Sequence, residues 1–365
     1  MAVPQRILVI YLSALVLSVT LGIHLVTAQL SSTMILRAAG IADQDDMTFW
    51  LHPTDLSQST IITSDKSANK LFVYDLHGNT LQVIAAHEPG NIDIRYGFPL
   101  DGEMVDIVAF NERSTQKICV YKVHPSRRAL EQIDNGTIDS GANYGFALYK
   151  SPTTGKFYAF TGPKSDTRVK QFQLVDAGKG RVSAMEIVRV IPLQPGGTVE
   201  GMVADDETRQ LYLTSESGGL WEFGAEPDAS TPGTSIAAVG TNGLTADVEG
   251  VAIYYAVNGQ GYLIISSQGD STFKVYERQA PHSFVGTFTV HGVMHTDGID
   301  VINIPLPLKG TPSQGLFALH NGRKSPYPVE IVSWENIVQV LNLRPPDTKY
   351  WNPRSAGSQA TLLQR

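Results

Sequence analysis

Apolar positions along this chain come in short runs with strand-like alternation, and stripes of helical period are nearly absent. The runs are rich in β-branched and aromatic residues and are bounded by Gly, Asp, Asn and Pro. They also resemble one another. Leu71-Phe72-Val73-Tyr74, Ile118-Cys119-Val120-Tyr121, Val169-Lys170-Gln171-Phe172, Gly219-Leu220-Trp221-Glu222-Phe223, Phe273-Lys274-Val275-Tyr276 and Val329-Glu330-Ile331-Val332 form one series. Each follows another short strand, such as Ile61-Ile62-Thr63 or Leu211-Tyr212-Leu213-Thr214. The interval of roughly 50 residues is that of a propeller blade. Radial closure also removes the open sheet edges that such an array would otherwise carry. A pair of β-sandwiches would give many short strands but not this spacing. The pattern therefore predicts an all-β, six-bladed β-propeller in one domain over 29–352, a short helix near Trp334 to Leu341, and a tail over 353–365.

One run stands apart. Ile7 to Val26 is almost wholly apolar, follows the single basic residue Arg6 and ends in the small residues Val26-Thr27-Ala28. It predicts a signal peptide over 1–28 and a secreted protein, extracellular or periplasmic, with an uncleaved membrane anchor as the alternative. No later segment is apolar enough to span a bilayer, so no stable membrane insertion is expected after cleavage. The sole cysteine, Cys119, rules out an intrachain disulfide and sits in a strand-like run as a small core residue. Asn135-Gly136-Thr137 is a glycosylation sequon, meaningful only in a host that glycosylates exported proteins.

The net charge of −7 and the lack of any basic block argue against nucleic acid as a partner. A small polyanion held through bound metal remains open. Acidic junctions recur between loops and strands: Asp43-Gln44-Asp45-Asp46, Asn91-Ile92-Asp93, Asp247-Val248-Glu249-Gly250 and Thr296-Asp297-Gly298. Hard oxygen ligands scattered over several loops are what Ca²⁺ needs. Each junction alone is equally a solvated acidic turn. The nine histidines and the run Asp205-Asp206-Glu207 read as surface features, the latter at a hairpin turn.

The segments DQDDMTFWLHP, NIDIRYGFP, TVEGMVADDE, LYLTSESGGLWEF, DVEGVAIYY, GYLIISSQGDSTFKVYER and HTDGIDV, in this order, resemble the β-propeller phytases from about Ala42 to Ile337. That resemblance implies a six-bladed propeller and Ca²⁺-dependent hydrolysis of phytate by a metal-activated water, in a monomer. It also implies the site residues. Glu200 matches the glutamate that positions metal and water; Asp247, Glu249, Glu216 and Asp297 match metal ligands. Tyr144 matches a cleft tyrosine, Lys66 and Arg113 match phosphate-holding cations, and Asp46, Asn91 and Asp93 match ligands of a structural calcium. For Asp247 and Glu249, strand spacing of i and i+2 would put both carboxylates on one face.

The chain also departs from the family pattern. Met47 stands where proline is usual, Ser67 where a second lysine is common, and Ser215 where a glutamate often precedes Glu216. His291 and His295 stand where aspartates are usual, and imidazole suits softer metals than calcium. These departures leave two alternatives to the phytase reading: a catalytically weakened propeller acting as a binding scaffold, or a hydrolase of another phosphorylated substrate.

Overall fold

Strands separated by turn-forming residues can only bury both faces if their sheets pack on one another, and here they do so radially. The computed structural model describes residues 28–355, apart from 166, 194–196, 231, 309–313, 345–346 and 350. Most of the expected signal peptide and the tail beyond 355 lie outside the described residues. Among the described residues the strands form six sheets, each a four-stranded antiparallel meander at its heart. The innermost strands, one per blade, are Asp46–Trp50, Pro89–Leu100, Phe146–Lys150, Val199–Asp205, Val248–Tyr255 and Ile299–Ile302. Each touches the next, and the sixth touches the first, so the ring closes around a central channel.

Closure uses the start of the chain. Met34–Ile35 pairs antiparallel with Val329–Ser333 and supplies the fourth strand of blade six. Ala28–Leu30 adds a parallel fifth strand to blade five against Phe288–Val290. The helix at Trp334–Leu341 falls where the sequence predicts it, with Trp334 buried and stacked on Tyr254 at 3.9 Å between ring centres. No helix among the described residues is long and apolar enough to cross a membrane.

The core lies between blades. One cluster joins blades six, one and two through Leu316, Ala318, Trp50, Ile62, Ile92 and Phe110, and similar clusters fill the other seams. Cys119 is buried in the third strand of blade two, as expected, and burial pushes its thiol up, which leaves it unreactive.

The acidic run Asp205-Asp206-Glu207 corrects the sequence reading. It does turn a hairpin, but Asp205 and Asp206 are buried. Arg278 grips Asp205 through two bonds of 2.6 and 2.7 Å, and Arg95 Nε stands 2.9 Å from Asp206 Oδ2. Both cations arrive from other blades, which sequence spacing cannot reveal. At the base of the channel Trp351 stacks on Tyr255, and Arg354 makes a two-bonded pair with Asp106 at 2.7 and 2.8 Å.

Candidate active site

In an antiparallel blade the start of the innermost strand and the end of the second strand lie at the same end of the sheet. The sequence-predicted site residues sit at these two kinds of position. Asp46, Asn91, Asp93, Glu200 and Glu249 lie in the innermost strands; Tyr144, Asp247 and Asp297 just precede them. Lys66, Arg113 and Glu216 follow the second strands of blades one, two and four. All of them therefore gather on one face of the ring, around the channel mouth.

Local backbone irregularity aims the carboxylates. The pairing of the innermost strands slips between Val199 and Met202 and between Val248 and Val251, so Glu200-Gly201 and Glu249-Gly250 each sit in a bulge. A bulge lifts a side chain off the regular ladder and re-aims it. The i, i+2 argument for Asp247 and Glu249 does not hold: Asp247 lies outside the strand and is exposed, whereas Glu249 is buried inside the bulge. Gly298 serves a different purpose. A Cβ there would run into Asp46 Oδ1 and the Asp45 carbonyl, so only glycine lets the last blade's loop close on the first.

Two groups of ligand atoms result. Glu200, Glu216 and Glu249 offer oxygens within 4.8 Å of one another, and a second group brings oxygens of Asp43 and Asp297 equally close to a ring nitrogen of His320. Glu249 is the most burdened. Its Oε2 is buried without a hydrogen-bond partner, and burial, followed by the charges of Glu200, Asp297, Glu216 and Asp247, pushes its carboxyl up to about 10. Burial and Asp247 also raise Glu216. Glu200 is raised to about 7 by burial against the pull of Arg113, with Asp45 adding to the rise.

The cations stand opposite. Arg113 Nη2 reaches Glu200 Oε1 at 3.0 Å and Asp45 Oδ2 at 3.1 Å, and its guanidinium lies 4.1 Å over the Tyr144 ring. Lys66 lies 2.6 Å from Asp45, 2.8 Å from Asp297 and 3.6 Å from Asp43. Burial favours a neutral Asp45, yet Arg113 and Lys66 hold it down at about 2. Lys164 Nζ is 4.9 Å from the Tyr144 ring on the exposed side.

The residues matched to a structural calcium are arranged differently. Asp46, Asn91 and Asp93 line one small cavity in the channel with Asp300. Asp46 Oδ2 accepts from Ile92 N–H at 3.0 Å, and burial raises its carboxyl well above the usual range. Asp93 pairs with Arg95 at 2.8 Å and accepts from Leu148 N–H at 2.8 Å. Of the two flagged histidines, both exposed, His295 joins Asp43, Asp297, His320, Gly322 and Tyr327 in lining a cavity of about 270 Å³. His291 does not; its backbone N–H bonds Leu30 after the outer strand of blade five.

Several residues at the site were not singled out from sequence. Asp43 and Asp45 had a signal, since they share the acidic stretch with Asp46. Gln268, which donates to Asp297 Oδ1 at 2.7 Å, had only the weak SSQG segment. His320, read with the other histidines as a surface residue, is buried against Asp43 and Asp297.

Comparison with known proteins bears on the family and the fold. The phytase family profile matches residues 10–358. The chain belongs to the phytase family. It is 38% identical over 336 residues to the 3-phytase of Bacillus subtilis (strain 168), covering 87% of this chain and 86% of that protein. Regucalcin of Agrobacterium tumefaciens str. C58, described as a calcium-binding protein, shares the fold with a TM-score of 0.53 at 10% identity. That match covers 84% of this chain and 95% of regucalcin and speaks for architecture alone. Family membership makes this phytase a hydrolase.

Proposed function

We propose that this phytase is a secreted, calcium-dependent phosphomonoesterase that removes phosphate from phytate. The observation that carries the proposal is the Glu200, Glu216 and Glu249 group, three carboxylates drawn together with one oxygen of Glu249 buried and unpartnered. A donor set made only of carboxylate oxygens fits a hard cation, and Asp247 adds further negative charge beside it. Calcium held by these residues would supply charge neutralisation for a polyanion and lower the pKa of an attacking water. The export reading is supported by the apolar run over Ile7 to Val26.

The protein's own groups define the rest. Phosphoryl transfer needs positioning and charge stabilisation more than covalent chemistry. Arg113 offers its guanidinium beside Glu200, and Tyr144 packs against it, so the cation is held in place before a phosphate arrives. Glu200, raised to about 7, can hold or release a proton near neutrality. Lys66 balances Asp45 and Asp297 and presents the second cation to the cleft.

Phosphate release from phytate and from a simple aryl phosphate, compared in one calcium buffer, tests the substrate class. A preference for phytate that falls with Arg113→Met supports the proposal. Equal turnover of both substrates, unchanged by the substitution, would overturn it.

A further inference from the structure

His320 ends the second strand of blade six, Leu316–His320, and is only 3% exposed. Its ring lies between two acidic residues that come from opposite ends of the chain. The Asp297 N–H donates to Nδ1 at 3.1 Å, and Nε2 stands 3.2 Å from Asp43 Oδ1. An Nδ1 that accepts leaves Nε2 as the nitrogen for a ring hydrogen, beside the Asp43 carboxylate. Nε2 is buried and makes no hydrogen bond, so its contact with Asp43 is one of close approach alone. The backbone repeats the link, since His320 N–H donates to Gly298 O at 3.0 Å. Gly322 keeps the ring in place: a Cβ there would lie 3.2 Å from His320 Cε1 and would strike the His295 carbonyl.

This geometry argues against Nδ1 as a metal ligand, although the ring nitrogens and the oxygens of Asp43 and Asp297 are close enough to surround an ion. A ligating imidazole nitrogen needs a free lone pair. The one on Nδ1 is engaged by the Asp297 N–H.

We propose that His320 is a positioning residue for the phytase reaction, pinning Asp43 of blade one and Asp297 of blade six across the seam where the ring closes. The inference rests on the calcium-dependent reading of the site. Among the described residues the Asp297 carboxylate is bonded by Gln268 and Lys66, both flexible side chains, while its carbonyl accepts from Gly250 N–H at 3.0 Å. Without the imidazole the two loops keep their strands but lose a buried anchor they share, with only the flexible Lys66 still near both carboxylates among the described residues.

His320→Leu removes both contacts, whereas His320→Asn keeps an oxygen near the place of Nδ1 and can still accept from Asp297 N–H. His320→Met is a second apolar replacement if the leucine variant does not fold. Calcium binding by calorimetry, together with kcat and KM for phytate, is measured for wild type and variants. The apolar variants should bind calcium about 10- to 100-fold more weakly, the range for losing an outer partner of a ligand. KM at saturating calcium should stay within about twofold. The asparagine variant, which keeps the bond to Asp297 but not the contact with Asp43, should fall between wild type and the apolar variants. An apolar variant that binds calcium like wild type overturns the inference, and so does an asparagine variant as damaged as the apolar ones. A wild type that neither binds nor needs calcium overturns the calcium reading itself, and the inference with it.

Discussion

Glu249→Gln should shift stability in opposite directions with and without calcium. The carboxyl has an ordinary value of 4.5 in the unfolded chain and is pushed up to about 10 in the fold, with Oε2 buried and unpartnered. Between those two values folding takes up a proton, so stability is full below 4.5 and falls as pH rises towards 10. At pH 7 that burden is about 3 kcal/mol. Glutamine is nearly isosteric and carries no such burden, although its amide forgoes hydrogen bonds worth about 1 kcal/mol. About 2 kcal/mol of net stabilisation remains, which for a chain this long raises Tm by about 3 °C. In saturating calcium the order reverses. The wild type gains about 2.7 kcal/mol at a hundredfold excess over Kd, and the variant, short of a ligand charge, gains less. Thermal melts in chelator and in calcium at pH 7, repeated in chelator near pH 4.5 where the burden is gone and the variant should melt about 1 °C below wild type, read all of this. A variant that melts below wild type in chelator at pH 7, or that gains as much from calcium, refutes the reasoning.

Other substitutions probe separate parts of the account. Glu200→Gln should lower phytate turnover at least about a hundredfold with the fold intact, the scale of losing a positioned acid–base group; near wild-type turnover would remove Glu200 from the mechanism. Arg278→Met strands the buried Asp205 carboxylate, at about 3–5 kcal/mol, and should lower Tm by about 6 °C. Adding Asp205→Asn should restore most of that loss, and a double variant no better than the single would contradict the pairing. Because Arg278 and bonds from the Thr208 backbone and side chain hold Asp205 low despite its burial, that stability is present above the ordinary range and is lost as pH falls below it. His295→Asp should lower the calcium needed for half-maximal activity about tenfold, whereas His291→Asp, away from the lined cavity, should leave it unchanged; equal effects would refute the placement.

The blades were legible in the sequence because strand alternation and a roughly 50-residue interval are properties of the local chain, and the helix at Trp334–Leu341 followed for the same reason. The acidic stretches were legible as chemistry, but not their aim. The bulges at Glu200 and Glu249 depend on how neighbouring strands pair, so the regular spacing of Asp247 and Glu249 misled. Burial of single polar residues was least visible. Asp205 and Asp206 are buried because arginines reach them from other blades, and His320 because the loops bearing Gly298 and Gly322 fold over it. Nothing within a few residues of these positions records the partner that arrives from elsewhere in the ring.

The central claim is that the carboxylate group at Glu200, Glu216 and Glu249 works by holding calcium. The initial rate of phosphate release from phytate, followed as free calcium is raised from chelated conditions, tests it most directly. The account predicts negligible release in chelator, a saturable rise with calcium in wild type, and a rise displaced to higher calcium in Glu249→Gln. Release that persists in chelator, or a calcium midpoint that Glu249→Gln leaves in place, would contradict it.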